Sequence, residues 1–129
     1  MTNPQKILLG TATCKDLMQC MMNLGEIEMD ILRTLMKKGA LTTEELTRHS
    51  KRDKSIVHRS LQRLMSCGLV SREKRSIPKG GYYYVYSSIP PEKVKKRMKE
   101  CIDTMYSNMK ELVRNFDMFQ DPGKGRKRR

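Results

Sequence analysis

The sequence predicts a mainly α-helical fold with one small β-hairpin. Two observations carry this. Apolar residues recur at helical spacing from Leu17 to Met65 and again from Val94 to Phe119, and between these stretches the pattern changes to a run of β-formers, Tyr82 to Tyr86. A third observation concerns charge. The 129 residues hold 27 Lys and Arg against 14 Asp and Glu, a net charge of +13. The excess is concentrated: residues 48–79 hold ten basic and two acidic residues, net +8, whereas residues 13–47 are net −2. Such a balance points to an anionic partner.

The elements follow in order. Residues 1–12 have little periodicity and read as coil. Thr13 can cap a short helix over 14–23 that carries Leu17, Met18, Met21 and Met22. A second helix, 26–38, aligns Ile27, Ile31 and Leu35, ends in Lys37 and Lys38 where cations suit the dipole, and stops at Gly39. Ala40 and Leu41 form an extended link. Thr42 then opens a third helix, with Glu45 three residues on as a capping box and Leu46 as core anchor. Ser50, Lys51 and Arg52 read as a tight turn and Asp53 as the next N-cap. The fourth helix runs to about Cys67, with Val57, Leu61, Leu64 and Met65 on one face and Gly68 as its left-handed stop. A strand from Leu69 to Arg75, a turn at Pro78 to Gly81 and a second strand at Tyr82 to Tyr86 make the hairpin. Pro90 and Pro91 end it and start a long helix expected to reach Phe119. The tail, Asp121 to Arg129, adds five basic residues and is expected to be disordered.

Composition excludes several classes. No apolar run approaches the roughly 18 residues a membrane span needs, and Ile7, Leu8 and Leu9 are too short a run for a signal core. A cytoplasmic protein is expected. Aromatic residues are 5% and Trp is absent, a poor supply for a single-strand stacking platform. The cysteines at 14, 20, 67 and 101 form no CxxC pair, and His49 and His58 lie at no familiar ligand spacing from them. They read as reduced thiols with no metal site and no cofactor, the alternative being a redox or metal sensor built across a dimer. No P-loop, paired carboxylates or nucleophile-base constellation is found, so an enzyme is not expected.

Helix, helix, tight turn, helix and hairpin is the order of a winged helix-turn-helix, whose second helix enters a DNA major groove. With Val57, Leu61 and Leu64 turned inward, the opposite face of the fourth helix holds Ser55, Arg59, Gln62, Arg63 and Ser66, with His58 on the flank. Arg can bond guanine and Gln adenine in a bidentate manner. Lys51, Arg52 and Lys54 stand at the helix start, where phosphates also gain from free backbone N–H groups. Arg72, Lys74, Arg75 and Lys79 on the hairpin suit a wing lying along phosphates, or a charged edge that discourages aggregation. The tyrosines read as hairpin packing.

The stretch from Leu41 to Tyr86, above all the pattern from Ser55, Val57, Arg59 and Leu61 to Gly68, Leu69 and Val70, resembles the winged-helix domain of archaeal TrmB-type transcriptional regulators. It is more loosely similar to MarR and ArsR repressors. The resemblance covers about residues 24–100 and implies a dimeric, sequence-specific double-stranded DNA binder acting on transcription. Full-length TrmB regulators also carry a large sugar-binding domain, which these residues lack, and the cysteine ligands of metal-sensing ArsR proteins are not found.

The last helix bears Val94, Met98, Cys101, Met105, Met109, Leu112, Phe116 and Phe119 in heptad-like steps, a stripe suited to pairing with a second copy. The domain layout is therefore an N-terminal segment and short helix over 1–23, a winged helix-turn-helix over 24–89, a dimerisation helix over 90–119 with Met98, Cys101, Met105, Met109, Leu112 and Phe116 at the seam, and a basic tail over 120–129. The expected function is a homodimeric transcription regulator. A winged-helix module for protein or RNA, and a sequence-neutral architectural DNA binder, remain the other readings.

Overall fold

The computed structural model describes residues 4–119. Their element order is α1 (Pro4–Leu8), α2 (Cys14–Met22), α3 (Glu26–Lys38), α4 (Thr43–Ser50), α5 (Lys54–Ser66), β1 (Val70–Ser76), β2 (Tyr82–Ser88) and α6 (Pro91–Arg114). This is the mainly helical fold with one antiparallel hairpin that the sequence predicts. The expected basic tail lies outside the described residues.

Local chemistry sets most boundaries. Thr13 accepts from the Asp16 amide at 3.1 Å, and the Asp16 carboxylate accepts from the Thr13 amide at 3.0 Å. That backbone hydrogen bond holds the Asp16 carboxyl below its ordinary range. Thr42 and Glu45 repeat the reciprocal cap at α4 with 3.1 and 2.9 Å. Both boxes satisfy amides that a helix start leaves without partners. Lys51 ends α4 in the left-handed region at φ 57°, which turns the chain within three residues into α5. Asp53 occupies the N-cap position of α5 with extended backbone but makes no side-chain cap bond.

Two elements differ from the sequence reading. Residues 4–8, expected as coil, form α1, with Pro4 at its first position, where a missing N–H costs nothing. The last helix ends at Arg114 rather than Phe119. There Asn115 bonds the Glu111 carboxylate at 3.2 Å and Asp117 accepts from the Phe119 amide at 3.1 Å. These short polar side chains offer local partners that compete with helical ones.

The chain divides into two units, up to Met98 and from Lys99. The core of the first is drawn from every element from α2 to the start of α6: Met18, Ile31, Leu32, Leu35, Leu46, Val57, Leu61, Leu64, Leu69, Tyr86 and Val94 are buried. Val70 pairs with Ser88 and Ser76 with Tyr82 across the hairpin. Leu41, expected as an extended link, also exchanges backbone hydrogen bonds with Tyr86 at 2.9 and 2.8 Å, so the hairpin is stitched to the segment between α3 and α4.

The stop of α5 is a packed joint. Gly68 has φ +76°, and a Cβ there would run into the Arg97 guanidinium. Arg97 Nε donates to the Cys67 carbonyl at 3.0 Å, placing a cation on the carbonyl end of α5. Gly39, at φ +86°, has open space around it. Gly39→Ala should cost about 1–3 kcal/mol from backbone strain alone, since φ 86° with ψ −158° is open essentially only to glycine, whereas Gly68→Ala should add the displacement of Arg97 to its own strain. Urea unfolding of Gly68→Ala with and without Arg97→Ala checks this, and equal losses in both backgrounds would show that Arg97 gives way freely.

Candidate nucleic-acid interface

The candidate surface is built by α4, its turn and α5. Val57, Leu61 and Leu64 are 0% exposed, which fixes the rotation of α5 about its axis. With that face inward, Ser55, His58, Arg59, Gln62, Arg63 and Ser66 are all exposed. His58 and Gln62 lie 3.4 Å apart through Nε2 atoms, one helical turn from each other. Arg59 has no ion-pair or hydrogen-bond partner among the described residues, so its full fork of donors faces outward.

The cations at the start of α5 are held differently. Lys51 is exposed on the turn. Arg52 lies 3.7 Å from Asp30 of α3 and Lys54 3.9 Å from Glu44 of α4. Both contacts are loose, and exposed pairs at such distances contribute little to stability. They orient the two side chains along the turn while leaving donors for another anion.

Arg63 differs from the other residues expected on this face. Its guanidinium donates to the Asn23 carbonyl, and its Nε lies 3.5 Å from Glu28. Glu28 in turn accepts from the Gly25 amide at 2.8 Å. Arg63 thus braces α5 against the α2–α3 junction. Sequence spacing placed it outward and gave no sign of this role, because the brace joins residues forty positions apart.

The hairpin carries the second group of cations. Arg72 lies over the Tyr84 ring at 4.0 Å and Lys74 over the Tyr82 ring at 4.2 Å, while the two rings meet edge to face at 5.5 Å. Each cation sits on the tyrosine diagonal to it in the register, since Arg72 faces Tyr86 and Lys74 faces Tyr84. The expected packing role of the tyrosines is thus accompanied by one as platforms for charge, which pairing register alone could have suggested. Arg75 pairs with Glu73 at 3.3 Å, and Lys79 is exposed in the turn beside Gly80 and Gly81, whose φ values of +110° and +91° close the loop.

The stripe on α6 divides between the two units. In the first, Val94 is buried and Met98 half-buried. In the second, Cys101 is half-buried, but Met105, Met109, Leu112 and Phe116 are 37%, 53%, 70% and 74% exposed, joined by Tyr106 and Val113. All four cysteines are free, and no cluster of three or more His, Cys, Asp or Glu suited to a metal occurs among the described residues. No described helix is long and apolar enough to cross a membrane.

Comparison with known proteins gives consistent matches. The family model described as sugar-specific transcriptional regulator TrmB matches residues 18–92. An uncharacterized protein of Methanocaldococcus jannaschii is 35% identical over 120 residues, 90% of each chain. In fold, the chain is similar to a possible transcriptional regulator from Methanosarcina mazei Go1, with a TM-score of 0.73 at 18% identity over 82% of this chain and 90% of that one. It is also similar to a crystal structure from the thermoacidophilic archaeon Sulfolobus tokodaii, with a TM-score of 0.60 at 28% identity over 74% of this chain and 93% of that one.

The Arg63 brace has a measurable signature. Arg63→Ala should lower stability by about 1 kcal/mol, below the about 1.5–3 kcal/mol of a charge-assisted bond because the side chain is partly exposed. A double-mutant cycle with Glu28→Gln should show coupling between the two. Additive losses in urea unfolding would leave the Asn23 carbonyl as the sole arm of the brace.

Proposed function

Because the chain belongs to the TrmB family of transcriptional regulators, we propose that it regulates transcription as a homodimer that reads a specific double-stranded DNA sequence. The observation that carries this reading is the two-sidedness of α5. Its inner face is fully buried, and its other face offers Ser55, His58, Arg59 and Gln62 to solvent. Arg59 takes the guanine-reading role, with O6 and N7 as its bidentate acceptors. Gln62, oriented by His58, takes the adjacent base. Lys51, Arg52 and Lys54 contact phosphates at the helix start, and Arg72, Lys74, Arg75 and Lys79 contact them along the wing. Arg63, at the edge of the same face, holds α5 in position through Asn23 and Glu28.

Dimerisation is supported by the exposed apolar row of α6. Met105, Met109, Leu112 and Phe116 are too apolar for a lone solvated helix, and a second copy supplies a matching row. Two α5 helices would then address half-sites about 34 Å apart.

A binding-site selection on random duplexes, followed by competition with a scrambled duplex and with RNA at physiological salt, tests the reading. A consensus with two-fold symmetry is expected. Equal affinity for scrambled duplex would make the protein a sequence-neutral binder, and preference for RNA would favour the exposed Tyr82 and Tyr83 as stacking surfaces.

Two substitutions separate the parts. Arg59→Ala should weaken specific binding by about 1–3 kcal/mol and relax preference at one position per half-site. Equal loss on specific and random duplexes would reduce Arg59 to a phosphate contact. Changing Met109 and Leu112 together to Glu should yield a monomer in sedimentation and lower specific binding far more than nonspecific binding. A folded double mutant that still sediments as a dimer would move the interface elsewhere, with the methionines of α2 the first candidates.

A further inference from the structure

The hairpin projects well past the core that holds its base. Val85 is the buried residue nearest the tip, and it pairs with Glu73. From Glu73 to Ile77 the chain advances about 13 Å, at about 3.3 Å per residue. Ile77 lies outside the core cluster and is 41% exposed, and Pro78 beside it is exposed as well. The apex is braced by its own backbone. The Ile77 carbonyl accepts from the Gly80 amide at 2.9 Å, the Ile77 amide donates to the Gly81 carbonyl at 3.0 Å, and Pro78 has its φ fixed by its ring.

Cations frame this apolar apex. Arg75 is on the same face of the strand as Ile77 and trails it by two residues, about 7 Å. Its ion pair with Glu73, at 3.3 Å, points back toward the core. Lys79, on the other side of Pro78, is exposed and has no ion-pair or hydrogen-bond partner among the described residues. A single exposed aliphatic side chain is ordinary. An isoleucine and a proline at the apex of a braced arm, with cations on both sides, have the composition of a minor-groove wedge. The dimensions agree. The minor groove is about 7.5 Å deep and about 6 Å wide. An arm of about 13 Å spans that depth, and the offset of about 7 Å puts Arg75 level with the phosphates when Ile77 is at the floor. Two strands about 4.8 Å apart, with side chains on both faces, are too broad for such a groove, so entry has to open it.

We propose that Ile77, backed by Pro78, is a wedge that enters the minor groove beside the α5 site and partly unstacks one base step. The proposal rests on the DNA-binding reading and adds to it a residue that makes no phosphate contact and no hydrogen bond to a base. The aliphatic side chain takes the place of part of one stacking contact, and the duplex kinks toward its major groove. Arg75 and Lys79 hold the opened groove at its two rims. The energy of unstacking is lowest at pyrimidine–purine steps, so Ile77 favours a TA or CA/TG step under the wing. It thereby contributes to sequence preference through deformation alone.

The test uses the intact chain and the duplex recovered by selection. 2-Aminopurine replaces adenine at one position per duplex, stepping through the consensus and its flanks, while the anisotropy of an end label reports binding separately. The unaltered chain should raise 2-aminopurine fluorescence at least about twofold at one TA or CA/TG step per half-site. Energy transfer between labelled duplex ends should report a bend of about 20° or more. Ile77→Ala should still bind, but without the rise and with a smaller bend, and Ile77→Leu should restore both. A mismatch at that step removes part of the stacking beforehand. It should tighten binding by the unaltered chain at least about fivefold and by Ile77→Ala less than about twofold. No rise at any position, a rise that Ile77→Ala keeps, or an equal gain from the mismatch in both chains would each overturn the wedge and leave the DNA reading standing. A chain that binds no duplex, or binds every duplex alike, would overturn the specific reading and the wedge with it.

Discussion

The whole candidate surface depends on the complete burial of one face of α5. Val57, Leu61 and Leu64 have no exposure, and each buried aliphatic side chain of this kind stabilises by about 1.5–3 kcal/mol relative to solvent. A rotation of α5 by one residue would bring polar groups into the core and expose these three. The outward set of Ser55, His58, Arg59 and Gln62 is therefore fixed by what the opposite side of the helix must avoid. What this face offers a partner is thus set by a packing constraint beneath it.

The periphery reinforces that constraint at both ends of α5. Loose ion pairs from Asp30 and Glu44 flank its start, Arg63 ties its last turns to Asn23 and Glu28, and Arg97 donates to the carbonyl of its C-cap, Cys67. The anchoring partners come from α3, α4, the α2–α3 junction and α6. No single neighbour positions the helix, so its placement is a property of the whole first unit. The same arrangement explains why four acidic residues, Glu28, Asp30, Glu44 and Glu73, sit within a basic surface: each meets the side chain of a basic residue that would otherwise be unopposed.

Much of this was legible in the chain. Capping boxes at Thr13 and Thr42, the glycine after Lys38 and the turn at Lys51 set helix limits through bonds within three or four residues, so local sequence suffices to find them. The outward face of α5 was legible for the same reason, since periodicity alone sorts its sides. The functional identity of those outward residues is a reading that periodicity supports without testing. Three features were not legible. The helix at Pro4–Leu8 is too short to show a period. The end of α6 at Arg114 is decided by Asn115 and Asp117 against an apolar stripe that continues past them. The Arg63 brace arises between segments far apart in sequence, where spacing carries no information.

The hydrogen bonds between Leu41 and Tyr86 bear on how a duplex could fit. They turn the base of the hairpin into part of a three-segment sheet, anchored to the link between α3 and α4. The wing is then no free arm: its base and α5 are the two jaws of a caliper cast in one piece. In a duplex complex of the kind proposed, a mismatch between groove spacing and jaw spacing would be shared with the nucleic acid, whose local stiffness varies with base step and would enter the binding energy at base pairs that no side chain reaches.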